Sequence, residues 1–105
     1  MTLAEIAKNP IVSTAALAET MQHNDKVFSY ISDCLRKFYS GDYGITPAED
    51  IAANNAELAA GTGRAIGHYR ALPEMEDDIF VIAVFDASTL GEDSNNTCVM
   101  YCSKY

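Results

Sequence analysis

The sequence predicts an α+β domain in which three to four N-terminal helices pack on a three-stranded antiparallel β-meander. Three observations carry that reading. Between Lys26 and Ser40, Val27, Ile31, Cys34, Leu35 and Phe38 recur at 3-to-4 spacing, with Ser29, Asp33, Arg36 and Lys37 opposite. Past Arg64 the period shortens towards two, and Asp78 to Asp86 holds the β-branched and aromatic run IFVIAVF. Helical patterns come first and strand patterns afterwards, the order of an α+β chain. No repeat, low-complexity tract or linker divides the 105 residues, so a single domain is expected.

Taken in order, Thr2-x-x-Glu5 is a capping box that opens a short helix near 3–8, ended by Asn9-Pro10. Ile11-Val12 is a brief apolar run, after which Ser13 or Thr14 caps a helix near 14–22 carrying Leu17 and Met21. His23-Asn24-Asp25 breaks that pattern and can cap the helix near 26–40, whose last turns carry Arg36 and Lys37 where cations suit the dipole. Gly41 and Gly44 then supply two sharp turns around Asp42. Thr46-Pro47-Ala48-Glu49 reads as a second capping box, with proline at the first helical position of a helix near 47–60. Gly61-Thr62-Gly63 stops it. Strands are expected near 64–71, 78–86 and 97–102, the first two joined by a hairpin turn at Pro73–Asp77. Leu17, Ile31, Leu35, Phe38, Leu58, Ile66, Phe80, Ile82 and Val84 are the expected core.

In the helix after Pro47, Asp50, Asn54 and Leu58 share a face by i, i+4 spacing. A polar pair beside an apolar stripe needs partners if it is buried. The expectation is a structural hydrogen-bond network of Asp42, Asp50, Asn54 and Arg64 that locks the glycine turn to the helix.

Composition narrows the function classes. No apolar run is long enough to cross a bilayer and no signal-peptide pattern opens the chain, so a cytoplasmic protein is expected. Three cysteines cannot all pair with one another, which argues for free thiols. Cys98-x3-Cys102 has metal-like spacing, but in a strand its Cα atoms lie about 13 Å apart, too far for one zinc or a disulfide. No metal and no cofactor is expected. No G-x-S-x-G, glycine-rich phosphate loop or H-E-x-x-H is present. His68, near Arg64, Arg70 and Asp86, is the one place where an acid/base pair is conceivable, and no nucleophile, base and orienter converge on it by sequence. The expectation is a non-enzyme.

The formal charge of −8 is uneven. Residues 1–41 balance four acids against four bases, whereas residues 42–93 hold eleven acids against Arg64 and Arg70 alone. Such a field repels nucleic acid and anionic membranes and favours protein partners with basic surfaces. Glu74, Glu76, Asp77 and Asp78 crowd one hairpin loop, with Glu92 and Asp93 in the loop at the other sheet end. They are read either as solubilising charge or as carboxylates offered to Lys/Arg grooves that normally hold nucleic acid. Six tyrosines and no tryptophan are present, and Tyr43 and Tyr105 are expected as exposed anchors for a partner.

The stretch from Gly41 to Tyr69 carries a pattern of G-D-aromatic-G followed by Asp50, Asn54, Leu58, Gly61, Arg64 and Tyr69, continued at Asp86, Ser88, Thr97 and Tyr105. It resembles a family of small phage- and plasmid-borne bacterial proteins, often called plasmid-related, with a GDWG…D-x3-N…R-I-L-x-x-Y pattern. The likeness begins at Ile11-Val12-Ser13-Thr14 and covers most of the chain. Tyr43 replaces the family's tryptophan, one residue is added at Gly61–Arg64, and Cys102-Ser103-Lys104-Tyr105 replaces a closing P-E-E-Y. The resemblance implies a counter-defence role like that of anti-CRISPR proteins: inhibition of a CRISPR effector, most readily a Cas9-type nuclease, by binding and without catalysis. The alternatives are a small accessory or regulatory interaction module, dimerising through a sheet edge or the Tyr30–Phe38 helix, and, third, a minor enzyme centred on His68.

Overall fold

A computed structural model describes all residues, 1–105. Four helices, α1 (Leu3–Ile6), α2 (Ala15–His23), α3 (Asp25–Tyr39) and α4 (Ala48–Ala60), accompany four strands, β1 (Ile11–Ser13), β2 (Thr62–Tyr69), β3 (Ile79–Asp86) and β4 (Asn96–Tyr101). The α+β class and the antiparallel β2–β3–β4 meander are as expected. The sheet, however, has four strands in the order β1-β4-β3-β2, and β1 runs parallel to β4. Ile11-Val12 is therefore an edge strand and not merely an apolar run. Two single-turn 3-10 segments, Ala87–Thr89 and Cys102–Lys104, also follow the strands.

Local chemistry explains most of the element ends. Thr2 and Glu5 form the reciprocal capping box at α1. Asn24 Oδ1 accepts from the N–H groups of Lys26 and Val27 and starts α3. Gly61, in the left-handed region at φ +78°, ends α4. Thr46 does not cap α4, contrary to the expected box. The helix opens at Pro47 without a side-chain cap, because the Thr46 hydroxyl is taken by the strand beside it.

Helices α1, α2 and α3 cover one face of the sheet. On that face lie Ala65 and Tyr69 of β2, Ile79, Val81, Ala83 and Phe85 of β3, and Val99 and Tyr101 of β4, all buried. Val27, Ile31, Cys34 and Phe38 of α3 meet them with Leu17 and Ile6. Phe38 lies flush on Gly67, where an added Cβ would come within 3.0 Å of its ring. Burying a side chain of that size contributes about 1.5–3 kcal/mol. Tyr101 donates its hydroxyl proton to Thr20 Oγ1 at 3.0 Å, tying β4 to α2.

The core reading chose the wrong face of β3. Leu17, Ile31, Phe38 and Ile82 are buried, but Leu35, Leu58, Ile66 and Phe80 are half-buried and Val84 is 46% exposed. Both faces of IFVIAVF are apolar, so alternation alone could not say which one the helices cover.

Candidate functional site

Strand β2 is an edge of the sheet, and α4 together with the preceding turn seals it. Asn54, 2% exposed, donates from Nδ2 to the carbonyl of Ile66 at 2.9 Å and accepts its N–H on Oδ1 at 3.0 Å. One side-chain amide thus supplies both bonds that a neighbouring strand would have made. Two residues earlier, Glu57 Oε2 accepts the N–H of Arg64. Two residues later, Ile45 N–H donates to the His68 carbonyl at 2.8 Å. The N–H of His68 reaches Tyr43 O at 3.2 Å and Thr46 Oγ1 at 2.9 Å. Gly44 pairs with His68 at φ +66°, where a Cβ would sit 2.2 Å from the His68 carbonyl oxygen.

This arrangement revises the expected network. Asp42 Oδ1 accepts from Gly44 N–H at 3.0 Å, and its carbonyl accepts the Tyr69 hydroxyl at 2.7 Å. Asp50 is exposed, and Arg64 turns its guanidinium towards Tyr105. Asp42 serves the turn and Asn54 the strand edge, separately, while the Arg64 side chain bonds Tyr105 and the Asp50 side chain bonds nothing, so the four form no single network. Glu57 and Thr46 are the partners that sequence reasoning missed. Their signal was the i, i+3 placement of Glu57 after Asn54 and the position of Thr46 just outside the helix.

The face of the sheet away from α1, α2 and α3 is open. Strand register places Arg64, Val84 and Asn96 in one row, Ile66, Ile82, Cys98 and Val12 in the next, and His68, Phe80 and Met100 in the third. Val12 and Val84 are each 46% exposed. A continuous ladder of stacked groups crosses this face. The Arg64 guanidinium lies 5.7 Å from the Tyr105 ring centre, Tyr105 meets Phe80 edge-on at 5.4 Å, and Phe80 meets His68 at 5.0 Å. His68 Nε2 is 3.2 Å from Asp78 Oδ2, so the partner of the imidazole is Asp78 and not Asp86. Asp78 is held below the ordinary aspartate range, first by the Ala71 N–H at 2.7 Å and then by His68. Asp86 instead caps the 3-10 turn through Ser88, which lowers its pKa as well.

Between this face and α4 runs a groove. One part, of about 210 Å³, is lined by Thr46, Pro47, Asp50, Ile66, His68 and Phe80. The adjoining part, of about 150 Å³, continues past Asp50 to Glu57 and Arg64. A carboxylate-oriented imidazole can exchange a proton. Here, though, the one hydroxyl lining the first part, Thr46, is already bonded to Tyr43 O and His68 N–H. The groove combines an unpaired carboxylate, Asp50, with an aromatic wall.

The predicted anchors divide. Tyr43 is buried at 5%, edge-on to Phe38, because the glycine turn folds it inward; it is not an exposed anchor. Tyr105 is 61% exposed and lies on the open face. The acidic hairpin also splits. Glu74 pairs with Lys26 at 3.3 Å and Glu76 lines a cleft with α2, both on the helix side. Asp77 accepts from the N–H groups of Asp78 and Ser103, and Asp78 is committed to Ala71 and His68. Glu92 and Asp93 remain exposed at the other sheet end, in a loop pinned by buried Asn95. The cysteines are unpaired, Cys34 buried and Cys98 and Cys102 half-buried; burial, with Asp77 and Asp78 nearby, pushes the Cys102 thiol up to about 11. No helix is long and apolar enough to cross a membrane.

No family model, curated protein or solved structure matches this chain.

Proposed function

We propose that the protein works by binding a protein partner with a basic surface, without catalysis, and that its contact is the open sheet face with the groove against α4. The observation that carries this is Asp50, exposed and unpaired, facing Phe80 and His68 across the groove. A lysine or arginine side chain fits such a place twice over, by charge at Asp50 and by its stem and cation on the aromatic ring. Val84, paired with Arg64 on the same sheet face, supplies apolar area to bury. The eleven acids of residues 42–93 add a long-range field that speeds encounter with a cationic partner.

The resemblance at Gly41–Tyr69 supports a particular partner class, a Cas9-type CRISPR effector, whose nucleic-acid channels are strongly basic. Glu74, Glu76, Glu92 and Asp93 contribute to the field, while Asp77 and Asp78 are occupied within the fold. The test is plasmid interference in cells carrying an active Cas9-type system, paired with binding to the purified effector. Wild type is expected to protect the plasmid. Asp50→Asn with Val84→Lys is expected to bind at least about tenfold more weakly, and wild-type binding to weaken with salt. Failure of the wild type to bind or protect refutes the effector as partner. Full binding by the double variant refutes the groove as the contact.

A further inference from the structure

The two edges of the sheet are treated differently. Strand β2 is closed along its length by Glu57, Asn54, Thr46 and the Tyr43–Ile45 turn. Strand β1 has no neighbour on its outer side. The bonds to β4 use the Pro10 carbonyl, which accepts from Thr97 N–H at 2.9 Å, and the Thr14 N–H, which donates to Val99 O at 3.2 Å. Backbone groups alternate in direction along a strand, so the N–H and C=O of both Ile11 and Ser13 point outward. Folded proteins usually protect such an edge with charge, proline, a covering loop or a short strand, and here Pro10 and the three-residue length limit the pairing to Ile11–Ser13. The edge Ile11-Val12-Ser13-Thr14 has no charged residue, and Ile11 and Val12 are 50% and 46% exposed.

We infer that β1 pairs with β1 of a second copy of this chain, antiparallel about a twofold axis at Val12. In that register Ile11 lies opposite Ser13 of the other copy, and each pair exchanges two N–H···O bonds. All the outward groups of Ile11 and Ser13 are then satisfied at once, and a continuous sheet of twice the four strands results. Val12 meets its own symmetry mate in the close, non-hydrogen-bonded position, extending the apolar row Ile66–Ile82–Cys98–Val12 across the axis.

Charge favours a second copy at this edge and disfavours it at the other. Strand β1 belongs to residues 1–41, whose charges cancel, whereas α4 and β2 at the far edge belong to the acidic part. A twofold at Val12 therefore keeps the two acidic halves apart. The antiparallel sense also sets the end of β1 near the Leu90–Gly91 loop, which leads into Glu92 and Asp93, towards the other copy's α2, whose first turn carries no acid. The contact is small, and both grooves against α4 stay open, so this pairing is independent of the partner proposed above.

Sedimentation equilibrium of the full chain at high micromolar concentration tests it. Wild type is expected at twice the 11.4 kDa chain mass. Val12→Lys, which sets two cations against each other at the axis, and separately Ile11→Lys, are expected at the chain mass with unchanged far-ultraviolet dichroism. Val84→Lys, on the open face, is expected to leave the dimer intact. A wild type that stays monomeric overturns the inference. So does a dimer that survives Val12→Lys and Ile11→Lys, or one that Val84→Lys abolishes, which would place the contact on the face instead of the edge.

Discussion

Replacing Asn54 by alanine removes one side chain but exposes a whole strand edge. Its amide makes two hydrogen bonds to the backbone of Ile66, at 2.9 and 3.0 Å, from a site 2% exposed. Each such bond contributes about 0.5–1.5 kcal/mol net, and a buried group left unpaired costs about 1–3 kcal/mol. Ile66 is half-buried, so water can reach part of the vacated space and the penalty falls below the full sum. The expected loss is about 2–3 kcal/mol, a fall in Tm of roughly 8–20 °C for a domain of this size. Asn54→Asp should be no better at neutral pH, since a carboxylate keeps the acceptor but faces the Ile66 carbonyl with negative charge. Urea denaturation measures the total, and amide exchange at Ile66 gives the local reading. That N–H is expected to be protected in wild type and to exchange faster in Asn54→Ala, beyond any change at Val81. A loss below about 0.5 kcal/mol, or unchanged protection at Ile66, would refute the edge-sealing argument. Lost function at unchanged stability and unchanged Ile66 protection would make Asn54 a contact residue instead.

The other predictions concern the hairpin acids and the glycine turn. Glu74→Gln with Glu76→Gln should change stability by less than about 0.5 kcal/mol, as both lie on the surface. Asp77→Asn with Asp78→Asn should cost more, about 1–2 kcal/mol after allowing for solvent at an Asp78 side chain 33% exposed; equal effects of the two pairs in urea would refute the division. The folded pKa of Asp78 lies below its unfolded value, so its contribution is present above about pH 4 and is lost as pH falls through the lower folded value. Stability of Asp78→Asn should accordingly fall less steeply with acid over that window than wild type, by pH-dependent urea titration. Gly44→Ala combines φ +66° with a Cβ 2.2 Å from the His68 carbonyl oxygen and should cost more than about 2 kcal/mol, whereas Gly91→Ala, at φ +91° in open space, should cost about 1 kcal/mol by thermal melting.

What the sequence determined by itself is local. The four helices fall within a few residues of the expected spans because a 3.6-residue apolar period and its caps are written in neighbouring residues, as at Asn24 and in the Thr2–Glu5 box. The β2–β3–β4 meander was legible for the same reason, since each strand joins the next through one loop. The pairing of Ile11 with Thr97 was not, because three residues pair with a strand at the other end of the chain and carry too short a pattern to announce it. Nor could alternation choose between Ile79, Val81, Ala83 and Phe85 and their neighbours Phe80, Ile82 and Val84, since both sets are apolar. Only the docking of α2 and α3 put the first set in the main core and left Phe80 half-buried and Val84 exposed on the other face, where Ile82 is covered by its neighbours. Asn54 shows the same boundary at the candidate site. Its spacing from Asp50 announced a polar residue in need of partners, but the partner is a backbone edge, and a backbone edge has no residue type by which a sequence can reveal it.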